Sequence, residues 1–186
     1  MSDKPLNLSL LLALLLAGSP THAADYTQAS GSTLAFAGRY QGEVFTGKFP
    51  GFTTRLSFDP KQLAQARLDV TIPLATATTS NADYDGELHG AAFFNAVKFP
   101  QARYSATTFR ALGGNRYAAD GTLFLRGVRK PVTLEFTWTP GPRPVLAGKA
   151  TVRRLAFDVG GGEWADTKLI PDAIAVSTKV VLVPAK

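Results

Sequence analysis

The sequence predicts an all-β protein: one antiparallel barrel or sandwich of about eight strands, with one short helix covering an end. Three observations predict it. Apolar and polar residues alternate with period two in many short stretches, the mark of strands that bury one face. Turn residues separate these stretches at Gly113-Gly114-Asn115, Arg126-Gly127, Pro140-Gly141-Pro142 and Gly160-Gly161-Gly162. Only one stretch, Asp83–Asn95, reads as helical.

The chain begins with an export address. Lys4 precedes the apolar run Leu6–Ala17, Gly18-Ser19-Pro20 ends it, and Thr21-His22-Ala23-Ala24 offers small residues for cleavage. Cleavage is expected after Ala23 or Ala24. A spanning helix needs about 20 apolar residues, more than this run supplies. Residues 1–23 are therefore read as a signal peptide and residues 24–186 as one domain, which places the mature protein in an exported compartment such as the periplasm.

Leu34 and Phe36 mark an early strand, and Leu56 and Phe58 another that ends at Asp59-Pro60. In Arg67–Leu74, Leu68, Val70, Ile72 and Leu74 point one way and Arg67, Asp69 and Thr71 the other; Pro73 cannot donate to a ladder. The helical stretch follows, with Asp83, Asp85 and Glu87 where the helix dipole favours acids. Tyr104–Arg110 and Tyr117–Leu125 continue the strands. Val132, Leu134, Phe136 and Trp138 share one face of the next, Leu146–Phe157 forms another, and Ile174, Val176, Val180 and Leu182 close the series.

Composition narrows the chemistry. A chain of 186 residues, 45% hydrophobic, fits one domain with a sizeable core. The absence of Cys excludes disulfides, thiolate zinc sites, iron–sulfur clusters and thiol nucleophiles. Histidine occurs only at 22 and 89. Asp83, Asp85, Glu87 and His89 lack the glycine position of a calcium loop, and a helix start accounts for them. Gly160-Gly161-Gly162 lacks the βαβ setting of a dinucleotide loop, and no Gly-x-Ser-x-Gly elbow is present. The +6 charge favours a membrane surface, a phosphorylated ligand or nucleic acid, and export sets nucleic acid aside.

Two long motifs carry a resemblance. Phe93-Phe94-Asn95-Ala96-Val97-Lys98-Phe99-Pro100-Gln101-Ala102-Arg103-Tyr104 is followed by Gly121-Thr122-Leu123-Phe124-Leu125-Arg126-Gly127-Val128. With Gly47-Lys48-Phe49, Leu56-Ser57-Phe58-Asp59-Pro60 and the Gly162-Glu163-Trp164 loop completed by Asp166, the chain resembles the YceI-like family of exported polyisoprenoid-binding proteins. Its tryptophan loop is similar to the branch found beside b-type cytochromes. Gly38-Arg39-Tyr40 stands where the family often carries His, and Tyr84 replaces a usual basic residue.

The resemblance implies a lipocalin-like antiparallel barrel holding an isoprenoid lipid or quinone in its lumen, with no catalytic cofactor and no metal. The lumen residues it implies are Phe36, Phe49, Phe58, Leu68, Val70, Ile72, Phe93, Phe94, Leu123, Leu125, Leu134, Phe136, Trp138 and Trp164. Arg126, Arg129 and Lys130 bracket a hairpin and are the candidates for headgroup or membrane contact, with Arg153 and Arg154 also basic. Expected partners are the lipid or quinone, a membrane surface and a b-type cytochrome; the oligomeric state stays open, a homodimer included. Two rivals accompany this carrier. One is an enzyme acting on a hydrophobic substrate through Asp85, Glu163 or Asp166. The other is an outer-membrane barrel, which would be polar inside and apolar outside.

Overall fold

The computed structural model describes residues 23–186, so the expected export signal, apart from Ala23, lies outside the described residues. Ten strands run in chain order: β1 (Ala24–Gln28), β2 (Thr33–Tyr40), β3 (Glu43–Lys48), β4 (Thr53–Phe58), β5 (Arg67–Pro73), β6 (Gln101–Gly113), β7 (Arg116–Leu125), β8 (Val128–Thr139), β9 (Val145–Arg153) and β10 (Ala173–Pro184). One helix, α1 (Ala82–His89), lies between β5 and β6.

All strand pairs are antiparallel, in the order β1-β4-β5-β6-β7-β8-β9-β10, and β1 pairs back onto β10 through Tyr26–Pro184, Thr27–Val183 and Gln28–Leu182. This closes an eight-stranded barrel. The β2–β3 hairpin extends the wall beyond the seam, because β10 pairs with β1 over one part of its length and with β2 over another. Between the two contacts Ser32 fills the interrupted ladder: its hydroxyl donates to the Ala29 carbonyl at 2.7 Å and accepts from the Val181 N–H at 3.0 Å. The edge of β3 meets residue 78 in a two-hydrogen-bond bridge between Lys48 and Thr78.

Hairpins set the register. Leu125 and Val128 pair across a two-residue turn in which Arg126 and Gly127 both take positive φ, 49° and 79°, the geometry that matches strand twist. Outward positions carry Arg55, Asp69, Arg103, Glu135, Lys149 and Lys179, all exposed, while inward positions are mostly apolar. That polarity is the inverse of a lipid-facing barrel wall. Among the described residues no helix is long and apolar enough to cross a membrane.

Four sequence expectations need correction. The helix spans Ala82–His89, not Asp83–Asn95. Asn81 caps it by accepting from the Asp83 and Tyr84 N–H groups, and Gly90 leaves it in extended geometry. The Phe93-Phe94 pair then enters the barrel from a turn held by Phe94 N–H donating to Leu88 and Ala96 N–H donating to His89. The strand expected over Leu146–Phe157 ends at Arg153: Arg154 takes the next inward position, but Arg154–Phe157 winds into a 3-10 turn instead of continuing the ladder. Strands β1 and β3 were not foreseen: the first is short, and in the second Gly47 interrupts the apolar face while Val44 is exposed outward.

Candidate ligand-binding site

The barrel interior divides into a packed floor and an open lumen. On the floor, Phe58 meets four rings, with centroids 6.0 Å from Phe109, 5.1 Å from Tyr117, 5.6 Å from Phe136 and 4.9 Å from Trp138. Leu56 and Leu182 pack with them, 1% and 0% exposed. Offset and edge-on ring pairs of this kind add to plain area burial. Above this plug lies a cavity of about 200 Å³.

Inward positions from every barrel strand except β1 line the cavity. Val70, Ile72, Val132, Ala150, Val152, Ile174 and Val176 point inward from strands yet keep part of their surface uncovered, since they face space and not packed neighbours. Leu88, Phe93, Phe94, Val159 and Ile170 close the loop end from α1 and the segments around it. The lining is hydrocarbon apart from Thr54, Tyr104, Arg154 and Thr178.

Three of those polar groups are committed to backbone. The Thr178 hydroxyl donates to the Thr33 carbonyl at 2.9 Å. Tyr104 donates to the Ala119 carbonyl at 2.8 Å, and burial pushes its phenol well above the ordinary tyrosine range. Arg154 is 3% exposed. Its Nε reaches the Pro171 carbonyl at 3.2 Å, Nη1 the carbonyls of Val159 and Gly160, and Nη2 those of Trp164 at 2.8 Å and Ile170 at 2.7 Å. All five N–H donors of the guanidinium are thereby used. Burial pulls the pKa of Arg154 down, and the Asp172 charge partly offsets this. Arg154 thus organises the loop over residues 154–172.

Of the fourteen lumen candidates, Phe36, Phe49, Leu68, Val70, Ile72, Phe93, Phe94, Leu123, Leu125 and Leu134 line the cavity. Phe58, Phe136 and Trp138 instead form the floor. Trp164 packs at the loop end, 5.5 Å from the Phe93 ring and 6.3 Å from Tyr40. The three hairpin cations separate. Arg126 is drawn inward, its side chain 10% exposed, donating to the Ala91 and Phe93 carbonyls and pairing with Asp158 at 2.9 Å. Arg129 lies over the outward Phe124 ring at 4.9 Å, and Lys130 is exposed. Tyr104, Val152, Ile174 and Val176 share the strand parity that marked the named residues, so extending that parity would have found them.

The carboxylates considered for catalysis lie outside the cavity lining. Asp85 accepts from the Thr78 hydroxyl at 2.6 Å, the Thr79 N–H at 2.6 Å and the Thr79 hydroxyl at 2.7 Å, and these bonds lower its pKa. It fastens the segment before α1. Glu163 and Asp166 are exposed. His89 bonds the Ala77 carbonyl at 2.8 Å. Among the described residues no group of three or more His, Asp or Glu is placed to hold a metal.

Comparison with known proteins agrees with this architecture. The model of the YceI-like domain matches residues 26–182. A UPF0312 protein of Yersinia pestis is 36% identical over 183 residues, covering 96% of this chain and 92% of its own. The crystal structure of Burkholderia cenocepacia BcnA superposes with a TM-score of 0.77 at 28% identity, covering 81% of this chain and 95% of that one. A polyisoprenoid binding domain from Saccharophagus degradans shares the fold at a TM-score of 0.67 and 15% identity, covering 88% and 100%. By its sequence, and with the closed barrel just described, this chain belongs to the YceI-like family.

Proposed function

We propose that the protein is an exported, non-enzymatic carrier that holds one isoprenoid lipid or isoprenoid quinone in the barrel lumen. The observation that carries this reading is the cavity itself: a space of about 200 Å³ walled by hydrocarbon, whose buried cation has every donor engaged. Such a wall selects apolar chains. Each buried CH₂ contributes about 0.8 kcal/mol, so repeated isoprene units build affinity without hydrogen bonds. The polyisoprenoid binding named for the Saccharophagus degradans domain supports the same ligand class.

Loading takes place at a membrane surface in this reading, with the loop end toward the lipid. There Val97 is 98% exposed beside Lys98, and Arg129 and Lys130 face solvent. A periplasmic address agrees with the leader read from the sequence, and a b-type cytochrome of the membrane is the proposed source or acceptor of a quinone. The test is uptake from vesicles: the mature protein is incubated with liposomes containing an isoprenoid quinone, re-isolated, and weighed by native mass spectrometry. One quinone mass per chain supports the carrier; recovery of the bare chain with every isoprenoid offered overturns it.

A further inference from the structure

Inward positions on β4 and the residue before it read Phe52, Thr54, Leu56 and Phe58, three apolar side chains and one hydroxyl. Thr54 is 3% exposed and lines the cavity, whereas Leu56 and Phe58 below it belong to the floor. A valine would fill the same shape. Yet the Thr54 hydroxyl is buried, and among the described residues it has no hydrogen-bond partner.

A second unpaired atom lies on the next strand. The β1–β4 register ends at Thr27–Arg55, so Gln28 stands one step further on, opposite Thr54. Gln28 Nε2 donates to the Phe52 carbonyl at 2.9 Å. A carbonyl can only accept, so this bond fixes the amide orientation and leaves Oε1 as the remaining acceptor. That Oε1 is buried and likewise has no partner among the described residues. Thr178, Tyr104 and Arg154 in the lining are all bonded to backbone, so among the described residues Thr54 carries the unpaired polar atom of the lining, with the unpaired Gln28 Oε1 one register step away on β1, just outside it.

We propose that Thr54 at the lumen wall, backed by Gln28 on β1, is a hydrogen-bonding station, and that it receives an uncharged hydroxyl carried on the apolar ligand. The inference rests on the carrier reading of the cavity. A hydroxyl suits the pair because it both donates, as Gln28 Oε1 requires, and accepts, as the Thr54 proton requires. A carbonyl satisfies only Thr54. A phosphate or carboxylate would meet no free counter-charge there, and its desolvation would go uncompensated.

The experiment compares geranylgeraniol with the oxygen-free hydrocarbon of the same skeleton, in competition on the mature protein, read by native mass spectrometry. The variants are Thr54→Val, which keeps the shape, and Thr54→Ser, which keeps the hydroxyl; thermal melting verifies that both fold. The wild type is expected to prefer the alcohol by roughly tenfold, the worth of one net buried hydrogen bond. Thr54→Ser keeps that preference, and Thr54→Val abolishes it while still binding the hydrocarbon. Equal binding of the two compounds by the wild type, or a preference that persists in Thr54→Val, overturns the station and leaves the carrier standing. A wild type that binds neither compound overturns the carrier reading together with it.

Discussion

The Arg126 guanidinium meets the Asp158 carboxylate at 2.9 Å, joining the β7–β8 hairpin to the loop organised by Arg154. The two partners are unequal. The Arg126 side chain is 10% exposed and also serves the Ala91 and Phe93 carbonyls, whereas that of Asp158 is 71% exposed. Arg126 thus holds the Phe93-Phe94 turn over the lumen, and the carboxylate adds little. Asp158→Asn is expected to cost under about 1 kcal/mol, as exposed pairs do. Arg126→Ala is expected to cost about 1–2 kcal/mol, because charge-assisted bonds to two backbone carbonyls, one of them part-buried, are lost. Urea unfolding of the two variants measures the difference.

Arg154 carries more. Arg154→Met leaves five backbone carbonyls without their donor and is expected to destabilise by at least about 3 kcal/mol. Arg154→Lys recovers only part of this, since an ammonium lacks the planar fork that reaches several acceptors at once. Hydrogen exchange should speed up over residues 159–170 in both variants and stay unchanged across β6 and β7.

Floor and wall should respond differently to truncation. Phe58→Ala removes the ring at the centre of the plug and is expected to cost about 3–5 kcal/mol, with ligand choice unaltered. Val132→Ala enlarges a lumen wall that is already partly uncovered, so its cost should fall below about 1.5 kcal/mol. Its effect appears in lipid affinity instead. Denaturation and lipid titration on both variants separate the two roles.

Acid should weaken the outer wall over a defined window. Arg110, at 2.6 Å, and the Thr133 hydroxyl hold the Asp120 carboxyl at about 2, below the ordinary aspartate range. A carboxylate with a depressed folded pKa stabilises the native state above its unfolded pKa, and the contribution fades as pH falls through the folded value. Melting temperature should therefore drop between about pH 4 and pH 2. Asp120→Asn should flatten that limb. The pair is partly exposed, so the change is small.

Much of the barrel was legible because alternation is a local signal. Arg67–Leu74 and Val132–Trp138 each show their buried face in the sequence; the second lies wholly within β8 and the first forms β5 as far as Pro73, with Leu74 buried in the turn that follows. What closes the barrel was not local. The glycines of two family motifs illustrate this: a Cβ at Gly47 would lie 2.2 Å from the Phe36 ring, and one at Gly121 2.5 Å from Tyr104. Each glycine makes room for an aromatic on a neighbouring strand, a pairing visible only once the register is known. Arg153 and Arg154 are identical in the sequence, yet one pairs with Asp172 at the surface and the other is buried among carbonyls. Phe58, Phe136 and Trp138 likewise share the parity of the lumen residues, and only depth along the strand assigns them to the floor.

If the protein is a carrier, the lumen, and no other surface, holds the apolar lipid. Ala150 points into the cavity from β9 and keeps part of its surface uncovered, so Ala150→Trp fills the space with little disturbance of the packed floor. Wild type and Ala150→Trp are exposed side by side to vesicles containing an isoprenoid lipid and weighed by native mass spectrometry. One lipid mass is expected on the wild type and none on a fully folded Ala150→Trp. Equal loading of the two proteins, or no loading of either, would rule out the lumen as the lipid site.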